Sequence, residues 1–266
     1  MDILKVQDLR VHFKDAAPDR FAVDGVSFSI GEGEIVGLVG ESGSGKTVTA
    51  MSISGLLPRE KAEVSGSITL DGNEIFRCTD AQMLRILGSG LGVVFQEPMT
   101  SMNPVLRIGP QVEESLRIHT SLSKAERRAR ALEAMAQVEL KNPEAVYRKY
   151  PHELSGGMLQ RVMIAAAIIS RPRLLLADEP TTALDVTIQA EILALLKRLN
   201  RENGMAILLI SHDLHVVRRL CTRVAVMQRG KLVENRPVED VFRDPQHEYT
   251  RQLLAAIPTR ERRLTE

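Results

Sequence analysis

Residues 35–47 read Ile35-Val36-Gly37-Leu38-Val39, then Gly40-Glu41-Ser42-Gly43-Ser44-Gly45-Lys46-Thr47. An apolar, strand-like run enters a glycine-rich loop, and the loop opens an amphipathic segment. This strand–loop–helix order is the setting that a phosphate-binding loop requires. Its glycines let backbone N–H groups turn inward around phosphate oxygens. The positive end of the following helix faces the same anion. Lys46 can reach β- and γ-phosphates, and the Thr47 hydroxyl can ligate Mg²⁺.

A second signal lies far downstream. Leu174-Leu175-Leu176-Ala177-Asp178-Glu179 is a buried-strand pattern that ends in two adjacent acids. At a strand's carboxyl end Asp178 can hold Mg²⁺, directly or through water, opposite Thr47. Glu179 can accept a proton from an attacking water. Between the two signals, Leu154-Ser155-Gly156-Gly157-Met158-Leu159-Gln160-Arg161 leads into an apolar helix. Two glycines after a serine form a small donor-rich nest suited to a terminal phosphate.

The order phosphate loop, Gln96, Ser155-Gly156-Gly157, Asp178-Glu179, Asp185, His212 resembles the ATPase subunits of ATP-binding cassette (ABC) transporters over essentially the whole chain. The resemblance implies ATP and Mg²⁺ as cofactors. Gln96, in Val94-Phe95-Gln96-Glu97-Pro98, is similar to the family's glutamine loop, which senses Mg²⁺ and meets a membrane subunit. Leu154 to Gln160 is similar to the signature motif, departing from it at Met158. Thr181-Thr182-Ala183-Leu184-Asp185 resembles the D-loop, and His212 after Leu208-Leu209-Ile210-Ser211 resembles the switch histidine. The adenine-stacking aromatic matches Phe13, with Phe21 as the alternative because an insertion loosens the alignment. The fold implied is α/β: a P-loop NTPase of the ABC type over residues 1–250, with a RecA-like core. An antiparallel β subdomain, a helical subdomain over about 96–172 and a short tail over 251–266 complete it.

A finer resemblance runs through Phe95 to Pro104, Ser155 to Arg161 and Pro245-Gln246-His247-Glu248-Tyr249-Thr250. These stretches are similar to the peptide/nickel branch of importers, which serves dipeptides, oligopeptides, nickel and metal–metallophores. Peptide members commonly add a C-terminal segment whose cysteines bind an iron–sulfur cluster. The chain ends soon after Pro258 without one, which leans the reading toward nickel and metallophores. The branch implies a second, non-identical ABC ATPase subunit, two transmembrane permease subunits and an extracytoplasmic substrate-binding protein. This subunit would lie peripherally on the cytoplasmic face of the cell membrane. Residues 96–104 would form the membrane-subunit contact, with Met99 and Met102 filling an irregular groove.

Bulk properties fit this reading. The 266 residues, 44% hydrophobic, can bury a full core. A net charge of +1 gives no electrostatic footprint for nucleic acid, and 3% aromatic residues argue against a base-stacking platform. The start has no signal-peptide pattern, and the longest apolar run, Val162 to Ile169, falls short of the roughly 20 residues that span a bilayer. A DNA-associated cassette would interrupt the chain with coiled coils or zinc modules between the phosphate loop and the signature. A ribosome-associated one would carry two cassettes, and a small P-loop kinase would leave Ser155-Gly156-Gly157 and His212 unexplained.

The secondary-structure pattern predicts a β-rich first part, with alternation over Ile3 to Val11 and Phe21 to Ile30 and a hairpin turn at Asp71-Gly72. From about Thr79 to Ile169 it predicts mainly helix, including a capping-box start at Ser123 and a solvated face bearing Arg127, Arg128 and Arg130. Strand, helix and strand follow at Leu174 to Ala177, about Val186 to Asn203, and Ala206 to Ser211. The charged tail, Thr259 to Glu266, is expected to fray.

Cys78 and Cys221 are too few to supply the four thiolates of an iron–sulfur site. Purified protein is therefore expected to be colourless. Visible absorption accompanied by iron and sulfide on analysis would contradict this.

Overall fold

The computed structural model describes residues 1–256 apart from 18, 59 and 183, so the tail at 259–266 lies outside the described residues. Strands β1 (Asp2–Phe13), β2 (Phe21–Gly31), β4 (Ala62–Leu70) and β5 (Asn73–Glu74) form an antiparallel sheet in the order β2-β1-β4-β5. Strands β3 (Ile35–Val39), β6 (Leu91–Val94), β7 (Leu174–Asp178), β8 (Ala206–Ser211), β9 (Arg223–Gln228) and β10 (Lys231–Pro237) form the second sheet. Its order is β10-β9-β3-β8-β7-β6, parallel throughout except for the antiparallel edge strand β10.

The parallel strands are apolar on both faces because both faces are covered. Along β7 and β8, Leu175, Ala177, Ile207 and Leu209 enter a core shared with helices, among them Gly156–Ile168 and Val186–Asn203. Their neighbours Leu174, Leu176, Leu208 and Ile210 enter a second core against β1, β2 and β4. Helix Lys46–Ile53 is wedged into this second core through Ala50 and Ile53. The sheet is thereby clamped between helices on one side and the antiparallel sheet on the other.

Most predicted elements are present. Of the apolar stripe at 3.6-residue spacing, Ile188, Ile192, Leu195, Leu196 and Leu199, all but the half-buried Ile188 are buried, and Gly204 ends the helix at φ 65°. Ser123 forms its capping box with Glu126. Arg127 and Arg128 are not merely solvated: Arg127 lies 3.9 Å from Glu113, and Arg128 pairs with Glu144 at 2.5 Å. One strand departs from the mainly helical expectation. Residues Leu91-Gly92-Val93-Val94 form β6, four residues that become a strand only by pairing with β7 at the sheet edge.

The Arg223 guanidinium is one of the ties between the two sheets. Arg223, opening β9, donates to Glu34 through Nε at 2.8 Å and Nη2 at 3.0 Å. It also bonds the carbonyl of Ser29 on β2 and Asn235 on β10. Burial pushes the Glu34 carboxyl up, but bonds from Arg223 and Gly31 together with the Arg223 charge outweigh it, leaving the carboxyl below its ordinary 4.5. The stability this contributes is complete above pH about 4.5 and is lost as pH falls through the lower folded-state value. Glu34→Gln is expected to cost about 1–2 kcal/mol at pH 7, or about 2–8 °C in melting temperature. The gap to wild type should narrow as thermal melts are repeated toward pH 4; a gap that widens would contradict the assignment.

Candidate functional site

The carboxyl ends of neighbouring parallel strands are where an α/β sheet gathers a ligand site. Here β3 delivers residues 40–47, β8 delivers His212, β7 delivers Asp178 and Glu179, and the edge strand β6 delivers Gln96. Residues separated by more than 160 positions in the chain thus meet along one rim.

The loop after β3 has the geometry its glycines suggested. Gly45 sits at φ 106°, and a Cβ there would come within 2.5 Å of the Ala22 carbonyl oxygen. At Gly40, φ 152°, a Cβ would meet the Met227 carbonyl oxygen at 2.2 Å. Any side chain at either position would push the loop off the strands beneath it. Lys46 is 6% exposed, and its ammonium bends back to the carbonyls of Gly40 at 2.8 Å and Glu41 at 2.9 Å. Burial lowers its pKa, while the charges of Glu179 and Asp178 pull it back up. Ser44 is buried below the loop, whereas Glu41, Ser42, Gly43 and Thr47 face outward.

Glu179 is the meeting point. Its Oε2 accepts from Gln96 Nε2 at 2.9 Å and from the Thr182 hydroxyl at 2.9 Å. Its Oε1 lies 2.9 Å from His212 Nδ1. Burial raises this carboxyl, but hydrogen bonds from His212 and Thr182 and the charges of His212 and Lys46 outweigh it, so the group lies below its usual range. An ionised Glu179 requires the proton on His212 Nδ1, which leaves Nε2 directed away from the pair. The backbone carries its own signature: Glu179 has φ 46°, a left-handed conformation costing about 1–3 kcal/mol for a non-glycine residue. Its N–H is anchored on the Ile210 carbonyl at 2.9 Å.

Asp178, next door, has the opposite environment. Burial and the Glu179 charge push it up to about 6, with Lys46 pulling the other way. A half-buried acid short of compensation beside a lysine and a carboxylate suits a cation shared with a ligand's phosphates. Among the described residues no cluster of three or more His, Cys, Asp or Glu could hold a metal alone. Asp178, Thr47 and Gln96 offer oxygen atoms that could hold Mg²⁺ with few protein ligands, phosphate oxygens completing the shell.

Among the described residues, no hydrogen bond or ion pair ties the remaining predicted residues to Glu179. Ser155 caps helix Gly156–Ile168 by accepting from Met158 N–H at 3.4 Å, and Ser155 and Gly156 are exposed. Asp185 caps helix Val186–Asn203 through Ile188 N–H at 2.9 Å. Among the described residues, no hydrogen bond or ion pair joins residues 155–157 or Asp185 to the phosphate loop or to Glu179. The two caps are neighbours, since a Cβ on Gly156 would lie 3.7 Å from Leu184. Val186 beside them is 80% exposed. Phe13 and Phe21 line one cleft with Lys14, Arg20, Gly43 and Gly230, so both adenine-stacking candidates face it.

Of the two methionines read as groove-filling, Met99 is 57% exposed and Met102 only 7%. Met102 packs into the helical core instead, because the short helix Pro98–Ser101 turns it inward. The exposed apolar side chains here are Phe95, Met99, Val105 and Leu106. Sequence reading gave Thr182 no role of its own. Its position three residues after Glu179, in the turn following a positive-φ acid, is the signal that could have found it.

The chain is similar to proteins already known. A family model described as ABC transporter matches residues 23–182. The peptidoglycan transport ATP-binding protein YejF of Agrobacterium fabrum is 52% identical over 260 residues, 97% of this chain. The chain spans only 48% of that relative's length. The oligopeptide transport ATP-binding protein AppD of Bacillus subtilis is 48% identical over 96% of this chain and 78% of its own. The dipeptide transport ATP-binding protein DppD of Escherichia coli is 43% identical over 97% and 79% respectively. Among solved structures, the dimeric ATP-binding cassette MJ0796 bound to ADP and phosphate superposes with TM-score 0.78 at 30% identity, covering 88% of this chain and 98% of its own. The cassette cbiO1 of Clostridium perfringens, part of the transporter complex cbiONQ, gives 0.79 at 28% identity over 99% and 98%.

Thr182→Val keeps the shape of the side chain and removes one donor to Glu179. Losing one such bond should lower kcat for ATP about three- to tenfold with little change in KM. Unchanged kcat would mean the Thr182 contact does not orient the carboxylate.

Proposed function

The chain belongs to the ABC transporter family of ATP-hydrolysing cassettes, and from that premise we propose that it is one ATPase subunit of an importer for peptide-class solutes. The observation that carries the site reading is the Glu179 hub, a carboxylate that meets Gln96, Thr182 and His212 at the rim that bears Lys46. Glu179 accepts the proton of the attacking water. His212, its Nδ1 committed to Glu179, offers Nε2 toward the γ-phosphate. Lys46 and the backbone amides of residues 40–47 receive the β- and γ-phosphates, and Phe13 or Phe21 stacks on adenine. Thr47, Asp178 and Gln96 would hold the Mg²⁺ that accompanies ATP, and that ion would supply charge neutralisation at the phosphates. As in phosphoryl transfer generally, the protein contributes positioning and charge rather than covalent chemistry.

Two cassettes would sandwich two ATP molecules, with Ser155, Gly156, Gly157 and Asp185 acting on the nucleotide of the other chain. The lack of any bond from them to Glu179 among the described residues, the exposure of Ser155, Gly156 and Asp185, and the bare Val186 beside them favour this arrangement. ATP closes the sandwich and hydrolysis reopens it, moving the membrane subunits. The second cassette is a non-identical ATPase, and two permease subunits and an extracytoplasmic binding protein complete the importer. The chain sits peripherally at the cytoplasmic membrane face. Among the described residues no helix is long and apolar enough to cross a membrane. Residues 96–172 serve as the helical subdomain, and the exposed Phe95, Met99, Val105 and Leu106 form the contact with a permease. The names of the relatives favour peptides as cargo over nickel or metallophores.

Gly156→Asp tests the cross-chain arrangement. Gly157 is the poorer site, because a Cβ there would come within 2.8 Å of Ile188 in the same chain, whereas at Gly156 the nearest atom is 3.7 Å away. The aspartate would set a negative charge where the partner's γ-phosphate docks. The variant should bind its own ATP normally while hydrolysis at the partner's site is lost. Loss of the variant's own ATP binding with the partner's site still active would overturn the arrangement.

A further inference from the structure

The segment Pro245 to Thr250 singled out in the sequence is not used by the mechanism above, yet it reaches the phosphate loop. Tyr249, in the first turn of helix Glu248–Ala255, is buried, and its hydroxyl oxygen accepts the Glu41 N–H at 2.9 Å, from 208 residues away. The peptide that carries this N–H also carries the Gly40 carbonyl, which accepts from Lys46 Nζ at 2.8 Å. The Gly40–Glu41 peptide is therefore pinned at both ends, by Lys46 on its oxygen and Tyr249 on its N–H. When Lys46 turns toward a phosphate the first pin is released, and Tyr249 is the one that remains.

The helix presenting Tyr249 is itself tied down. The buried carboxylate of Glu234 on β10 accepts the N–H groups of Gln246 at 3.1 Å and His247 at 3.3 Å, and Arg236 lies 3.3 Å from it. His247 then caps the helix by accepting the Tyr249 N–H at 3.1 Å. A rigid path thus runs from the edge strand β10 through residues 246–249 to the first turn of the phosphate loop.

We propose that Tyr249 is a positioning residue for ATP binding, fixing the Gly40–Glu41 peptide in the orientation that the phosphates require. It touches neither nucleotide nor reacting atoms, and acts by sparing the loop the cost of being ordered on binding. This rests on reading residues 40–47 as the phosphate loop.

Tyr249→Phe keeps the ring and removes the acceptor. In the intact chain, ATP affinity by calorimetry and KM for ATP should each worsen about three- to tenfold, the worth of one neutral hydrogen bond. The value of kcat should change by less than about twofold, and amide exchange at Glu41 should accelerate. A lowered melting temperature with unchanged affinity and KM would make Tyr249 a packing residue and overturn the proposal. Lys46→Ala serves as the control. If it leaves ATP affinity unchanged, the phosphate-loop reading falls and the proposal with it. If it abolishes binding while Tyr249→Phe matches wild type, the proposal alone falls.

Discussion

Withdrawing the Glu179 carboxylate from water at the end of β7 carries a desolvation cost that hydrogen-bond donors and nearby positive charge offset. Three side chains donate to it, and each comes from a different place: Gln96 from beyond β6, Thr182 from the turn below, and His212 from beyond β8. A strained backbone at φ 46° aims the side chain at them, and the Ile210 carbonyl anchors that strain. The acid pair is thereby split in character. Asp178, short of donors, is pushed up to about 6, while Glu179, rich in them, lies below its usual range. One acid suits a cation and the other a proton, and the difference arises from surroundings rather than residue type.

That arrangement depends on the sheet beneath it. The donors converge only because β6, β7 and β8 are parallel neighbours that end on the same rim, which fixes Gln96, Glu179 and His212 within hydrogen-bonding distance. The sheet holds its register because alternate residues of each strand enter two different cores, so a one-residue slip would exchange both sets at once. Arg223 and Glu34 fasten the antiparallel sheet against this platform, and the path from Glu234 through Tyr249 reaches the same rim from the far end of the chain. The rim is thus supported at several points, all outside the stretches that form it.

Much of this was legible in the sequence because local physics leaves local marks. The glycine-rich loop declares itself through Gly40 and Gly45, where approaches of 2.2 Å and 2.5 Å leave no room for a side chain. The helix ending at Gly204 and the capping box at Ser123 are equally local. What escaped was set by tertiary partners. Strand β6 is too short to reveal a period, and Met102 turns inward only because the short helix before it does. Thr182 matters through a contact with a carboxylate whose orientation follows from an unusual φ. Tyr249 meets its partner across 208 residues, a distance over which spacing carries no information.

The central claim is that Glu179 is the proton acceptor and that its neighbours serve it. Steady-state ATP turnover and Mg-ATP affinity of Glu179→Gln, measured side by side, address it most directly. The amide preserves the shape of the hub and removes the base. Turnover should fall by about two or more orders of magnitude while affinity stays near wild type. Hydrolysis close to the wild-type rate would contradict the account.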